Sequence, residues 1–299
     1  MSKVHFVTFG CDIAFKNSRD RLAKEAAETG WFDKIFIYNP EMLESYKNGR
    51  NFIGRGAGYW WWKSKVQLLA LDQIDDNDLL LYLDAGFHIN KYAKLEFDRF
   101  VERVTNNAGL LAYNCGGAIE KNWTKRDLFK LLDCDTAEHT NSSQIGSGVV
   151  LYQKNSLTMH LVSEFDRISN IRHTLDDGPS FNQNYEGYIE HRHDQSVFSL
   201  LVKKIYKDKD IELINHTQVY EDDIDFLKKW INDNSLPGIE NLQHAFYATR
   251  FRDIFLNLAR FRDNNDTTNF NGQYISKLKA HERTKRGFAR SLQIPRPSR

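Results

Sequence analysis

Two periods of hydrophobic and polar positions take turns along this chain. Short runs such as VHFVTF, KIFIY and LLLYLD are dense in apolar, β-branched and aromatic residues and stop at glycine, asparagine or a following polar pair, as strands do. Between them lie segments with helical spacing, for example RDRLAKEAAET. On this reading strands occupy residues 3–10, 34–38, 79–84, 109–113 and 148–152. Helices occupy 19–29, 59–71, 95–104, 125–132, 156–168 and 194–204. Ser18, Thr124 and Asp194 stand where side-chain caps belong, and Gly30 stands just past the end of the first helix. Strands that alternate with helices predict an α/β fold with a mostly parallel central sheet flanked by helices.

Residues 169–192 are polar and without period, and a loop this long inside a domain is expected to be functional or mobile. From residue 262 the composition turns to that of a linker. The expected organisation is therefore one domain over 1–261 and a linker with a basic tail over 262–299. The 299-residue length and 41% apolar content permit a sizeable core. No window approaches 18 consecutive apolar residues, and the N-terminus lacks the pattern of a secretory signal. Three widely spaced cysteines, Cys11, Cys115 and Cys134, suit reduced thiols. The expected location is cytoplasmic.

The net charge of +1 conceals an uneven distribution. Residues 277–299 carry eight basic side chains against Glu282, so the rest of the chain is mildly acidic. Basic residues mixed with Tyr274, Leu278, Phe288, Leu292 and Ile294 can adhere to an anionic leaflet, which would place the protein peripherally at the inner membrane face. No base-stacking platform accompanies these charges, so nucleic acid is not expected as a partner.

The stretch LLLYLDAG holds the first candidate chemistry. A buried strand ends on one carboxylate, Asp84, followed by Ala85 and Gly86. Ligands of open α/β sheets sit beyond the carboxyl ends of strands, and a carboxylate there suits a hard cation or a sugar hydroxyl. Upstream, GYWWWKSK places Lys63 and Lys65 beside a glycine-loosened loop, which suits a phosphate-bearing ligand. Three consecutive tryptophans cannot all face one core, so at least one should line a cleft. Downstream, QIGSGVVLY puts Gln144 and Ser147 among glycines that allow close backbone approach, with both side chains able to donate to hydroxyls. In HRHDQSVFSLL, polar groups crowd the start of a helix whose later residues are apolar.

Taken in order, VTFG, Arg21–Leu22, GYWWWKSK, LYLDAG, WTKRD, QIGSGVVLY and HRHDQSVFSLL resemble GT-A glycosyltransferases of the bacterial capsular-polysaccharide type, similar to glycosyltransferase family 8. The resemblance covers roughly residues 4–204, with an echo near His244. It implies a hexosyltransferase of polysaccharide biosynthesis that moves a sugar from a nucleotide donor, usually UDP-linked, to a glycan or lipid-linked acceptor. It implies Mn²⁺ or Mg²⁺ on the donor diphosphate, with Asp84 at the first acid of an Asp-x-Asp motif and His244, preferred over His216, as a second ligand. Gly86 stands where the second acid belongs, so the nucleotide's own phosphates are expected to complete the shell. Arg250 and Arg252 lie near the would-be phosphate.

By the same resemblance, Asp194 and Gln195 contact the donor sugar or stabilise an oxocarbenium-like state, with retention of configuration. In an inverting enzyme Asp194 would instead be the base. Thr8, Phe9, Gly10 and Arg21 are placed to read the nucleotide. Trp62, Lys63, Asp84, Ala85, Gly86, Gln144 and Ser147 are placed around the donor. Trp61, Trp62, Trp123 and Tyr188 are candidates to stack on acceptor sugars. Two rivals remain: a catalytically silent carbohydrate- or nucleotide-sugar-binding protein, favoured by Gly86, and a Rossmann-type methyltransferase, disfavoured because no GxGxxG follows the first strand.

Overall fold

β3 (Leu79–Leu83) lies near the middle of the sheet with all five side chains buried. Leu80 and Tyr82 face one hydrophobic cluster and Leu79, Leu81 and Leu83 the other, as the two-residue period of a strand requires. Each such side chain stabilises the fold by about 1.5–3 kcal/mol, so β3 is the anchor of both layers.

The computed structural model describes residues 2–11, 13–215, 244–248, 269–270 and 273–274. Before β3 come β1 (Val4–Phe9), α1 (Ile13–Thr29), β2 (Lys34–Tyr38), α2 (Gly56–Tyr59) and α3 (Trp62–Leu71). After it come β4 (Phe87–Ile89), α4 (Lys94–Asn106), β5 (Leu110–Ile119), α5 (Glu120–Trp123), α6 (Arg126–Leu131) and α7 (Ala137–Thr140). β6 (Ser143–Gln153), α8 (Ser156–Ser169), α9 (His193–Ile205), β7 (Glu212–Asn215) and β8 (Phe246–Ala248) follow. The six-stranded sheet runs β2-β1-β3-β6-β5-β7. β6 is antiparallel to both its neighbours, and the other five strands share one direction. The sheet is thus mostly parallel, as expected. The reversal matters for position: the start of β6, not its end, meets the end of β3, with Leu83 opposite Val149. Helices α3, α8 and α9 contribute to one cluster, and α1 and α4 to the other.

Several expected boundaries move. α1 starts well before Ser18, which is buried within the helix rather than capping it. Gly30 does follow the helix, at φ +66°. Thr124 does not cap α6; its hydroxyl donates to Glu120 Oε2 at 2.8 Å, and Lys125 occupies the cap position. α9 begins at His193 with Arg192 as its cap residue, so Asp194 lies in the first turn with its carboxylate turned elsewhere. The expected helix over 59–71 divides into α2 and α3 at a run of positive φ: 57° at Gly56, 51° at Ala57, 86° at Gly58, 62° at Tyr59 and 61° at Trp60. Left-handed geometry costs roughly 1–2 kcal/mol at each non-glycine residue. The tryptophans that follow hold it in place: Trp61 Nε1 donates to Asn51 O and Trp62 Nε1 to Gly56 O, each at 3.0 Å. Trp61 and Trp62 are buried, and Trp60 is half-buried, packed against the same core and stacked on His193 at 5.2 Å.

β4 and β8 form a small antiparallel pair, Phe87 opposite Ala248 and Ile89 opposite Phe246, which short-range pattern did not disclose. The expectations for the basic tail, His216, Arg250 and Arg252 fall outside the described residues. Cys11, Cys115 and Cys134 form no disulfide. No described helix is long and apolar enough to cross a membrane.

Glu25 ties α1 to the strand beyond the site. Its carboxylate meets His88 Nδ1 at 2.7 Å and accepts from Ile89 N and Arg21 Nη1, each at 3.1 Å. Burial pushes its pKa up, but His88, Arg21 and the Ile89 amide outweigh this and bring it down to about 2 from 4.5. A depressed carboxylate stabilises the fold fully above its unfolded pKa and ceases to do so as pH falls through the folded value. Urea denaturation should therefore show stability falling by roughly 3 kcal/mol between pH 5 and pH 2 from this group, and Glu25→Gln should remove that part of the slope. An unaltered slope in the variant would refute the assignment.

Candidate active site at the end of β3

The chain leaves β3 in a tight turn. Phe87 N donates to Asp84 O at 3.0 Å, and Asp84 N donates to Gly148 O at 2.9 Å across to β6. Arg21 clamps this turn from α1, donating to Phe87 O at 2.9 Å and Ala85 O at 3.1 Å. Arg21 therefore positions the turn that presents Asp84. The tight packing also explains a glycine: a Cβ on Gly148 would come within 2.9 Å of Asp84 Oδ2 and 3.3 Å of Phe87.

Lys63 is the hub of the site. It projects from the first turn of α3, and its Nζ lies 2.9 Å from Asp84 Oδ1, 2.6 Å from Asp194 Oδ2 and 3.3 Å from Ser147 Oγ. Its side chain is only 3% exposed, against 22% for Asp84 and 7% for Asp194. Burial would drive the ammonium to shed its proton, but Asp194 and Asp84 more than offset this and leave its pKa above the usual lysine value. Ser147 Oγ donates to Asp194 Oδ2 at 2.7 Å, and Tyr82 OH donates to Asp84 Oδ1 at 2.7 Å. Burial and the adjacent Asp84 raise the Tyr82 pKa well above 10, so this phenol remains a donor. Two carboxylates and one ammonium give the cluster a net charge of −1.

A second network supports the first. Gln195 Nε2 donates to Gln144 Oε1 at 2.7 Å. The fully buried Gln144 shares its amide among Glu120 Oε2, Thr124 Oγ1 and Ser196 Oγ at 3.1–3.2 Å. Glu120, also fully buried, is paired with Lys203 Nζ at 2.7 Å. Gln144 thus serves to orient Gln195, while its expected donation to a ligand finds its amide already engaged.

The structure brings Lys63, Asp84, Ser147 and Asp194 together, with Ala85 and Gly86 in the adjoining turn, and it places Gln144 and Gln195 in the separate network around Glu120. It engages others differently. Thr8 is buried and donates to Leu83 O at 2.9 Å. Phe9 stacks on Trp62 at a centroid distance of 4.0 Å, and both are buried, as is Trp61. Gly10 O accepts from Arg19 Nη1 at 3.3 Å. Lys65 pairs with Asp166 at 2.5 Å rather than joining Lys63. Trp123 lies under the Arg192 guanidinium at 3.8 Å, and Tyr188 is half-buried. His244 Nδ1 is 3.0 Å from Glu96 Oε1 on α4. Among the described residues no three His, Cys, Asp or Glu side chains gather to hold a metal ion.

Tyr82 and Glu120 had been overlooked. Tyr82 precedes Asp84 by two on a strand, which places both on one face, and that spacing could have found it. Nothing in the sequence marks Glu120, whose partners other than Thr124 lie far along the chain.

No family model and no curated protein matches the chain. Among solved structures it is similar to a glycosyltransferase involved in the glycosylation of the major capsid of PBCV-1, at 9% identity over 83% of this chain and 98% of that one, with a TM-score of 0.43. It is also similar to mouse xyloside xylosyltransferase 1 in its apo form, at 11% identity over 84% and 98%, with a TM-score of 0.38. The galactosyltransferase LgtC, in complex with donor and acceptor sugar analogs, is 14% identical over 86% and 95%, with a TM-score of 0.40. All three are likenesses of architecture with TM-scores below 0.5, and none assigns a reaction to this chain.

Removing one partner from a buried ion cluster leaves uncompensated charge, at a cost of about 3–5 kcal/mol. Lys63→Met should lose that much stability in urea denaturation, and adding Asp194→Asn should recover part of it, because the two sites are coupled. Full additivity would show that the two groups do not interact.

Proposed function

We propose that the chain is a glycosyltransferase that moves a hexose from a nucleotide donor, UDP-linked, to a glycan or lipid-linked acceptor with retention of configuration. One observation carries this reading: the Lys63 ammonium joins Asp84, at the end of β3, to Asp194, at the start of α9. The motifs that resemble GT-A enzymes thus supply neighbouring side chains at one rim of the sheet, where ligands of such sheets bind.

Breaking a sugar–phosphate bond leaves negative charge on the diphosphate and positive charge on the anomeric carbon. Fixed groups must meet both. The Asp194 carboxylate, oriented by Lys63 and Ser147, stabilises the oxocarbenium-like carbon. Gln195, oriented by Gln144, binds a hydroxyl of the donor sugar.

By the resemblance, a divalent ion would be held through Asp84, whose Oδ1 already meets Lys63 and Tyr82 and whose Oδ2 packs closely against Gly148. With Gly86 beside it and His244 against Glu96, Asp84 is the protein's main contribution, and diphosphate oxygens would supply the rest of the shell. The ion, Mn²⁺ or Mg²⁺, would neutralise the leaving diphosphate. The cluster's own charge of −1 makes that compensation necessary. We assign residues 1–261 to the transferase domain and 262–299 to a tail that meets the inner membrane face of a cytoplasmic enzyme.

Gly86 also favours a second reading, a silent nucleotide-sugar-binding protein. UDP release from a panel of UDP-sugars with Mn²⁺ separates the two, since a silent protein binds without turnover. Asp194→Asn should lower UDP release by roughly 10²–10³. Asp84→Ala should abolish the thermal stabilisation by UDP that depends on Mn²⁺. Turnover undiminished in Asp194→Asn would remove the role given to that residue.

A further inference from the structure

Past the end of α8 lies an open cavity of about 350 Å³, bordered among others by Arg50, Tyr59, Asn170, Arg172, His173 and Asp176. Its size is within the range of small-ligand sites, roughly 300–1,000 Å³. The one acid is already engaged: Asp176 pairs with Lys125 Nζ at 2.8 Å and His173 Nδ1 at 2.7 Å and accepts from Gly178 N at 2.9 Å. Arg50 makes one long bond, Nη2 to Ile171 O at 3.4 Å. Among the described residues neither Arg50 nor Arg172 is ion-paired. Burial lowers the Arg50 pKa, with Asp176 and Asp166 only partly offsetting it, as befits a cation short of counter-charge. Asn170 Nδ2 donates to Asp166 O at 2.8 Å, while its Oδ1 is buried without a partner. Two guanidinium forks and one unused acceptor suit a sugar that carries an anion and a nearby hydroxyl.

The cavity is also placed for this. Tyr59, on its wall, sits 5.3 Å from the His193 ring, and His193 adjoins Asp194 in α9. Two rings, Tyr59 and His193, thus lead from the cavity wall to the first turn of α9, which carries Asp194. The 170–192 loop forming the opposite wall is pinned: Phe181 N and Asn182 N donate to Asp127 at 2.7 and 2.8 Å, and Arg55 pairs with Asp177 at 3.1 Å.

We propose that this cavity is the subsite for an anionic substituent, carboxylate or phosphate, on the acceptor saccharide. Arg50 and Arg172 bind the anion, and a turn of the Asn170 side chain would bring its buried Oδ1 to an adjacent hydroxyl. That the ligand is an acceptor rests on the glycosyl-transfer reading; that the cavity binds a sugar-borne anion does not. The plain alternative is that Arg50 merely satisfies a carbonyl just past the end of α8.

Calorimetric titration of the full chain with glucuronate, glucose 6-phosphate and glucose, without nucleotide or metal, decides between them. The two anionic sugars should bind with dissociation constants on the order of millimolar, and glucose should not. A preference for glucuronate assigns a sugar acid, and a preference for glucose 6-phosphate assigns a phosphorylated sugar. Arg172→Gln, on the exposed rim, and Arg50→Gln should each weaken binding about tenfold. Absence of binding by either anion, or equal binding by both variants and the wild-type chain, overturns the proposal. Since no nucleotide is present, that failure would leave the transferase reading intact, and absent UDP release would leave the anion site intact.

Discussion

The site depends on one buried ammonium. Lys63 stands between two carboxylates from distant parts of the chain, and burying an ion costs several kcal/mol unless its partners are close and hydrogen-bonded. Here they are: Asp84 and Asp194 lie within 2.9 Å, and Tyr82 and Ser147 each donate to one of the carboxylates. That requirement fixes the relative position of three elements, the end of β3, the first turn of α3 and the first turn of α9. A shift of any of them would leave charge buried and unpaired, so the cluster enforces one relative geometry.

The surrounding fold supplies the means. Because β6 runs against its neighbours, its first residues reach the same rim as the last residue of β3, and Ser147 and Gln144 enter from a strand's beginning while Asp84 enters from a strand's end. Arg21 draws in the carbonyls of the 84–87 turn, and the lack of a side chain at Gly148 keeps the Asp84 carboxylate from being displaced. The clustered side chains are held in turn by others packed behind them, which keeps their geometry fixed.

Much of this was legible in the sequence, for identifiable reasons. β1, β2 and β3 are short apolar runs bounded by polar or glycine residues, and their period names them. Asp84 and Asp194, which meet at Lys63, stand out in the sequence because each interrupts or begins an apolar pattern. What hid was long-range. Nothing local could show that Lys63 would lie between those acids, that Arg21 would clamp a turn, or that Lys65 would turn to Asp166. Capping was misjudged at Ser18, Thr124 and Asp194 because hydroxyls and carboxylates suited to caps also suit tertiary partners, and in two of the three the tertiary partner is visible. All three consecutive tryptophans pack on one core, which an unbroken helix would not allow, because left-handed geometry that no propensity scale anticipates interrupts the chain just before Trp61.

That break has a bearing on how this segment would vary among related chains. From Gly56 to Trp60 the backbone is wound in the mirror sense of an ordinary helix. Only glycine, and to a lesser degree asparagine and aspartate, enter that conformation readily. Ala57, Tyr59 and Trp60 adopt it all the same, so surrounding contacts must offset a strain that Gly56 and Gly58 escape. Invariance there would report the coil of the chain, and variation at Arg50 or Arg172, which bear no such restriction, would be the more telling record of a changed ligand.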